Sequence, residues 1–295
     1  MHFLKRAFLA LVLLLLLGGG VLYALASRRL AKPYELIRRS VEVPADSASI
    51  ARGEHLATAI GKCAECHGEG LAGKVMVDDP MFGRFVAPNL TRGAGGVGGS
   101  RSDADFATAL RHGVGVDGKT LVLMPSEDYT RFTEADLRDL LAYVRALPPV
   151  DRTLPARRLG PISVGLLASN KLPVPAELID HGRLPMDSIV AEPTATYGEY
   201  LANVGGCTGC HNPALSGGEI LGAPPGTPVA ANLTPGGRAW SQEEFKAALR
   251  DGVRPGGVTM HPFMPVRFTK LMTDQEIEAV WRYVVSVPAK RLGER

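Results

Sequence analysis

The feature that most constrains this chain is a short motif used twice, "CAECH" from Cys63 to His67 and "CTGCH" from Cys207 to His211. All four cysteines fall in these two motifs. Cysteines three apart on a helical turn present both sulfurs on one side, with the histidine carried directly behind them. The possible uses of such a pair differ in what else they require. A closed zinc site is four-coordinate, and each motif supplies two thiols and one close histidine. A thioredoxin-type pair follows a strand in a βαβ pattern, and the sequence shows no such pattern. Structural disulfides leave the two histidines unexplained. Covalent haem attachment uses every residue: two thiols reach the two vinyl groups of one porphyrin, and the histidine ligates iron. The motifs therefore predict two haem c groups, one on Cys63 and Cys66 with His67 as axial ligand, the other on Cys207 and Cys210 with His211.

The motifs belong to a longer internal repeat, offset by roughly 140–145 residues. "RGEHLA" (52–57) pairs with "YGEYLA" (197–202), "APNLT" (87–91) with "AANLT" (230–234), and "DFATALRHGV" (105–114) with "EFKAALRDGV" (244–253). Met124-Pro125 pairs with Met264-Pro265, and "TEADLRDLLAYV" (133–144) with "TDQEIEAVWRYV" (273–284). Each copy, at about 100 residues, is long enough to bury its own core, so the pattern is a tandem duplication and not a solenoid.

Each copy reads as helical. The closing element places Leu137, Leu140, Leu141 and Val144, and likewise Ile277, Val280, Trp281 and Val284, at helical spacing behind the boxes Thr133-x-x-Asp136 and Thr273-x-x-Glu276. A middle helix opens at Ser102-x-x-Asp105 and Ser241-x-x-Glu244 and stops at Gly113 and Gly252. The haem motifs are expected at the end of the first helix, and the Gly- and Pro-rich loops between elements show no convincing strand alternation. Tyr143 and Tyr283 are expected to pack on the first helix near Gly53 and Gly198, where small residues permit close approach. Asn89 and Asn232 either hydrogen-bond near a haem edge or stabilise a turn.

The N-terminus runs from Ala7 to Ala26 without a charge, about the 20 residues needed to span a bilayer as helix. It reads as a membrane anchor, with a signal peptide cleaved after Ala24-Leu25-Ala26 as the alternative. Seven of the Lys and Arg residues against two Glu lie in the first 43 positions, so the formal charge of +3 leaves the remainder near neutral and points to no nucleic-acid surface. The domain plan is a 1–43 anchor and basic segment, a 44–150 haem domain, a 151–192 Pro-rich connector expected to pack on the domain surfaces, and a 193–295 haem domain.

Met124 and Met264 are the candidates for the sixth iron ligand. Both precede proline, at matched repeat positions 57 and 53 residues after their histidines. Met260 is a lesser candidate, while Met76, Met81, Met186 and Met272 read as core filler. His55, His112, His181 and His261 have no matched partners and read as surface or structural histidines.

On these residues the chain resembles class I c-type cytochromes in tandem, and among them the membrane-anchored cytochrome subunits of periplasmic dehydrogenases. The alcohol-dehydrogenase subunits among them typically carry three haem motifs, and this chain has two. The resemblance implies a mainly α fold of two cytochrome c domains after an N-terminal transmembrane helix. It implies an electron carrier and not an enzyme, with a periplasmic dehydrogenase as donor and a cytochrome or terminal oxidase as acceptor. Covalent haem is assembled on the outer side of the bacterial inner membrane, which places the haem domains in the periplasm. The competing readings are a dihaem peroxidase or small-molecule oxidase with one open iron site, and a subunit that only wires a larger membrane complex.

Overall fold

The computed structural model describes residues 2–220, 222–223, 226–237 and 240–295. An apolar helix α1 (His2–Leu30) is followed by α2 (Ser47–His55) and the one-turn motif helix α3 (Cys63–His67). Strands β1 (Lys74–Asp79) and β2 (Gly83–Ala87) precede α4 (Asp103–His112), α5 (Ser126–Tyr129) and α6 (Glu134–Ala146). The connector holds β3 (Arg158–Leu159) and α7 (Pro161–Ala168). The second copy runs α8 (Ala195–Val204), the motif turn α9 (Cys207–His211), α10 (Gln242–Asp251), a small β4–β5 hairpin (Val253–Arg254, Val258–Thr259), α11 (Val266–Thr269) and α12 (Asp274–Ser286). The fold is mainly helical, as the sequence predicts.

The chain clusters into two compact units. One contains residues up to Ser40, Cys66–Glu127 and Leu147–Arg183; the other contains Val41–Glu65, Asp128–Ala146 and Leu184–Arg295. The division cuts across the repeat, because α2 and α6 of the first copy cluster with the second copy.

In the first unit, β1, β2 and β3 form an antiparallel sheet in that order. The sequence reading missed this sheet. A register shift between Val75 and Val77 breaks the alternation in β1, and β3 is a two-residue piece of the connector. The connector does pack on the surface: β3 pairs with β2, and α7 lies against α1. The middle helix closes as predicted, with a reciprocal Ser102–Asp105 capping box and Gly113 at φ 63°. Met81 is exposed and not core filler.

In the second unit, α2 packs on α6 and α8 on α12 by the same device. A Cβ on Gly53 would overlap the Asp139 carbonyl oxygen and sit 2.9 Å from the Tyr143 Cβ; on Gly198 it would overlap the Ala279 carbonyl and sit 2.9 Å from the Tyr283 Cβ. Tyr143 and Tyr283 thus pack where the sequence places them. The Ser241–Glu244 and Thr273–Glu276 boxes are complete, and Gly252 ends α10 at φ 69°. The Thr133–Asp136 box departs from expectation. Thr133 Oγ1 accepts the Asp136 amide at 3.0 Å, but the Asp136 carboxylate turns to Arg52 and Tyr200. Met272 is buried, and Met186 is exposed, against its reading as core filler.

The motif turns do not continue the first helices; they follow as separate turns. In the second copy α8 closes with an ordinary bond from the Gly205 amide to the Leu201 carbonyl at 2.8 Å. In the first copy, Leu56–Ile60 forms a π turn, and the Gly61 amide reaches one residue further to the Leu56 carbonyl at 2.7 Å. Leu56 corresponds to Leu201 and Gly61 to Gly205, so the repeat offset changes from 145 to 144 across this segment. The extra residue of the first copy is absorbed as a π bulge ahead of its motif.

Candidate haem sites

Each motif histidine is oriented by a backbone carbonyl. His67 Nδ1 lies 2.9 Å from the Pro88 oxygen, just past the end of β2, and His211 Nδ1 lies 2.8 Å from the Ala231 oxygen. A carbonyl only accepts, so Nδ1 carries the proton in both rings and Nε2 keeps its lone pair. This is the usual support for a metal-bound imidazole. Burial lowers the pKa of both rings below the ordinary 6.5, with the carbonyl bond opposing it, so both are held neutral and able to ligate.

The loops after the motifs are copies of each other. The Gly73 amide donates to the His67 carbonyl at 2.7 Å, and Gly217 to His211 at 2.9 Å. Leu90 donates to Leu71 at 2.9 Å, and Leu233 to Leu215 at 2.8 Å. Asn89 and Asn232 do the same work in each copy. The Asn89 side chain accepts the Thr91 amide at 2.9 Å and donates to the Val150 carbonyl at 2.7 Å; Asn232 accepts from Thr234 at 2.9 Å and donates to Lys290 at 2.7 Å. Each asparagine thus stabilises its turn and clamps its loop to the segment beyond the last helix.

The four cysteines are half-buried, and no disulfide joins them. Burial pushes the thiols of Cys207 and Cys210 above the ordinary range, opposed by Lys62, the reverse of a thioredoxin-like nucleophile. Met124 and Met264 are half-buried and enter the same turn: Ser126 donates to the Met124 carbonyl at 2.8 Å and Val266 to the Met264 carbonyl at 2.8 Å. His67 and Met124 fall within one compact unit, His211 and Met264 within the other. Met260 is half-buried after β5. Neutral imidazoles with Nε2 available, two thiols on one turn, and thioethers outside the apolar core make a donor set that fits haem c.

The remaining histidines are structural or on the surface. His112 Nδ1 meets His181 Nδ1 at 3.1 Å, His55 pairs with Glu276, and His261 is exposed.

Residues 48–144 and 193–284 each match the family described as "Cytochrome C oxidase, cbb3-type, subunit III". The chain belongs to this family. The cytochrome is 29% identical over 283 residues to the fructose dehydrogenase cytochrome subunit of Gluconobacter japonicus, covering 88% of this chain and 56% of that one. It is 27% identical to the alcohol dehydrogenase (quinone) cytochrome c subunit of Gluconacetobacter polyoxogenes, covering 83% and 57%. It is 29% identical to a diheme cytochrome c-type protein of Cereibacter sphaeroides, covering 81% and 86%. The chain thus spans little more than half the length of those dehydrogenase subunits. It is a dihaem c-type cytochrome with two covalently bound haem c groups.

One group of residues escaped the sequence reading. In the second unit Arg52 Nε lies 3.1 Å from Asp136, His55 Nε2 lies 2.8 Å from Glu276, and Arg52 Nη2 reaches the Tyr197 hydroxyl at 3.4 Å. These positions align in the repeat, Arg52 with Tyr197 and His55 with Tyr200, yet their chemical types differ. Only the contact itself reveals the pairing.

Proposed function

We propose that this cytochrome is a membrane-anchored electron carrier, with its haem domains at 44–150 and 193–295 on the periplasmic side of the bacterial inner membrane. Cys63 and Cys66, and Cys207 and Cys210, form the thioether bonds. His67 and His211 are the proximal ligands through Nε2, and Met124 and Met264 the distal ones. The observation that carries this reading is the duplicated histidine-to-carbonyl bond, His67 to Pro88 and His211 to Ala231, which leaves the same nitrogen available in both copies. The haem iron supplies a one-electron couple, and a thioether ligand favours its ferrous form. The chain's own part is to fix both rings before metal is bound and to keep the ligand turns clamped, so that ligation does not change as charge moves.

The donor is a periplasmic dehydrogenase, as the names of the fructose and alcohol dehydrogenase relatives suggest, and the acceptor is a cytochrome or a terminal oxidase. Among the described residues, α1 is the one helix long and apolar enough to cross a membrane. Optical and electron paramagnetic resonance spectra of the matured protein test the proposal. Two low-spin haems with the long-wavelength Met-to-iron band, lost one at a time in Met124→Ala and Met264→Ala, are expected. A bis-histidine haem in the parent protein overturns the ligand assignment, and a high-spin haem both overturns it and brings an enzyme with an open site forward.

A further inference from the structure

We propose that the last turn of α1 belongs to the core of the first unit, making the helix a retained, stiff strut that seats this unit at the bilayer. The alternatives are a leader removed after Ala26 and a loose tether. The inference rests on the membrane-anchored reading above and adds to it how the anchor is joined.

Three observations carry it. First, α1 runs unbroken from His2 to Leu30, straight through Ala24-Leu25-Ala26. Its exposure changes within that stretch: Leu25 is 47% exposed, whereas Ala26 is 0% and Leu30 5% exposed, in a cluster with Leu167 and Val174. Val164 and Leu172 pack against the same cluster. Second, Arg29 follows the apolar run but is not a free juxtamembrane charge. Its Nη1 donates to the carbonyls of Leu167 at 2.8 Å and Leu172 at 3.1 Å, and its Nη2 to Glu177 at 2.6 Å. Leu167 lies in the last turn of α7, whose carbonyls lack partners within the helix. Third, the Leu30 carbonyl, at the open end of α1, accepts the Thr120 amide at 2.9 Å.

Three separate segments thus close on the end of one helix: α7, the 172–177 stretch and the loop around Thr120. A cut after Ala26 would take a buried residue out of the cluster and leave Ser27–Leu30, a single turn that is too short to hold helix by itself. A bilayer edge near Leu25 would instead leave Arg28 and Lys32, both exposed, at headgroup level. The unit carrying His67 and Met124 would then meet its partners from a fixed height and orientation.

The test uses the full-length, haem-loaded protein in nanodiscs of anionic phospholipid, with hydrogen exchange resolved at single amides and the intact mass recorded. The expected result is an intact α1 and a Thr120 amide that exchanges about tenfold or more slowly than in Arg29→Gln. The Leu121 amide, bonded to the Gly113 carbonyl at 2.7 Å, stays unchanged as the internal reference. Glu177→Gln, which leaves Arg29 bonded to both carbonyls, should give a smaller change in the same direction. If the parent protein remains membrane-bound but its Thr120 amide exchanges as fast as in Arg29→Gln, the anchor is a loose tether and this inference falls while the anchored reading stands. If the protein leaves the membrane with a new terminus at Ser27, both fall.

Discussion

The Tyr200 hydroxyl donates to the Asp136 carboxylate at 2.5 Å, and the repeat-equivalent pair, His55 and Glu276, meets at 2.8 Å. Each bond joins the first helix of one copy to the N-terminal turn of the last helix of the other. Equivalent positions exchange equivalent contacts, as in an isologous dimer interface, and Arg52 meets Tyr197, its own counterpart, at 3.4 Å. The duplication has kept the symmetry of position while the chemistry of the two sides has diverged.

That divergence predicts a stability cost at Tyr200. Burial, reinforced by the adjacent Asp136 carboxylate, pushes the Tyr200 phenol far above its ordinary range, so it remains a donor at any working pH. Tyr200→Phe removes a hydrogen bond to a charged acceptor and should cost about 1.5–3 kcal/mol. Asp136 keeps its Arg52 partner, so the variant should still fold. Denaturant unfolding followed by circular dichroism checks the value.

The His55–Glu276 side predicts a pH dependence. Burial alone would raise the Glu276 carboxyl, but the bonds from His55 and from the Thr273 amide outweigh it, and its folded pKa lies below the ordinary 4.5. A carboxyl depressed on folding contributes stability that is present above its unfolded pKa and is lost as pH falls through the folded value. Glu276→Gln can still complete the capping box. Its urea midpoint should therefore fall less steeply than that of the parent as pH drops below about 4.5. Parallel slopes for the two proteins would show that Glu276 is not linked to folding.

The clamp residues give a matched pair of tests. Asn89 and Asn232 are buried, and each joins a loop amide to a carbonyl beyond the last helix. Asn89→Ala removes two hydrogen bonds and Asn232→Ala three, and each leaves buried groups unpaired, at about 1–3 kcal/mol for each orphaned group. The same loops carry Pro88 and Ala231, which orient the motif histidines. Asn89→Ala should therefore also disturb the spectrum of the first haem and leave the second unchanged, and Asn232→Ala the converse. Difference spectra of the purified variants read this directly.

What was legible in the sequence was what is local. Ser102-x-x-Asp105 with Gly113, and Ser241-x-x-Glu244 with Gly252, state a helix start and stop within a dozen residues, and both helices formed as written. The haem motifs are contiguous and equally plain. The sheet was not legible, because β1 carries an irregular register and pairs into a ladder completed by two residues of the connector. The histidine supports were hidden because their acceptors are backbone carbonyls, and every residue has one. The Thr133 box was overpredicted for the opposite reason: its Asp136 had a stronger offer from Arg52 and Tyr200, residues far away in sequence.

The last prediction concerns the two glycines that let the helices of each copy meet. At Gly53 an added methyl would run into the Asp139 carbonyl and the Tyr143 Cβ, and at Gly198 into the Ala279 carbonyl and the Tyr283 Cβ. Neither glycine has a positive φ, so alanine is locally welcome, and in an exposed helix it would gain about 0.5–1 kcal/mol. Here the clash falls on backbone, which cannot rotate away as a side chain would. Gly53→Ala and Gly198→Ala should therefore each destabilise by about 1–3 kcal/mol or more, reversing the sign expected from helix propensity. Thermal unfolding of the two single variants checks this, with Gly165→Ala in α7 as the control, since a Cβ at Gly165 meets nothing within 4 Å. A stabilised Gly53→Ala or Gly198→Ala would mean that the paired helices lie further apart than described.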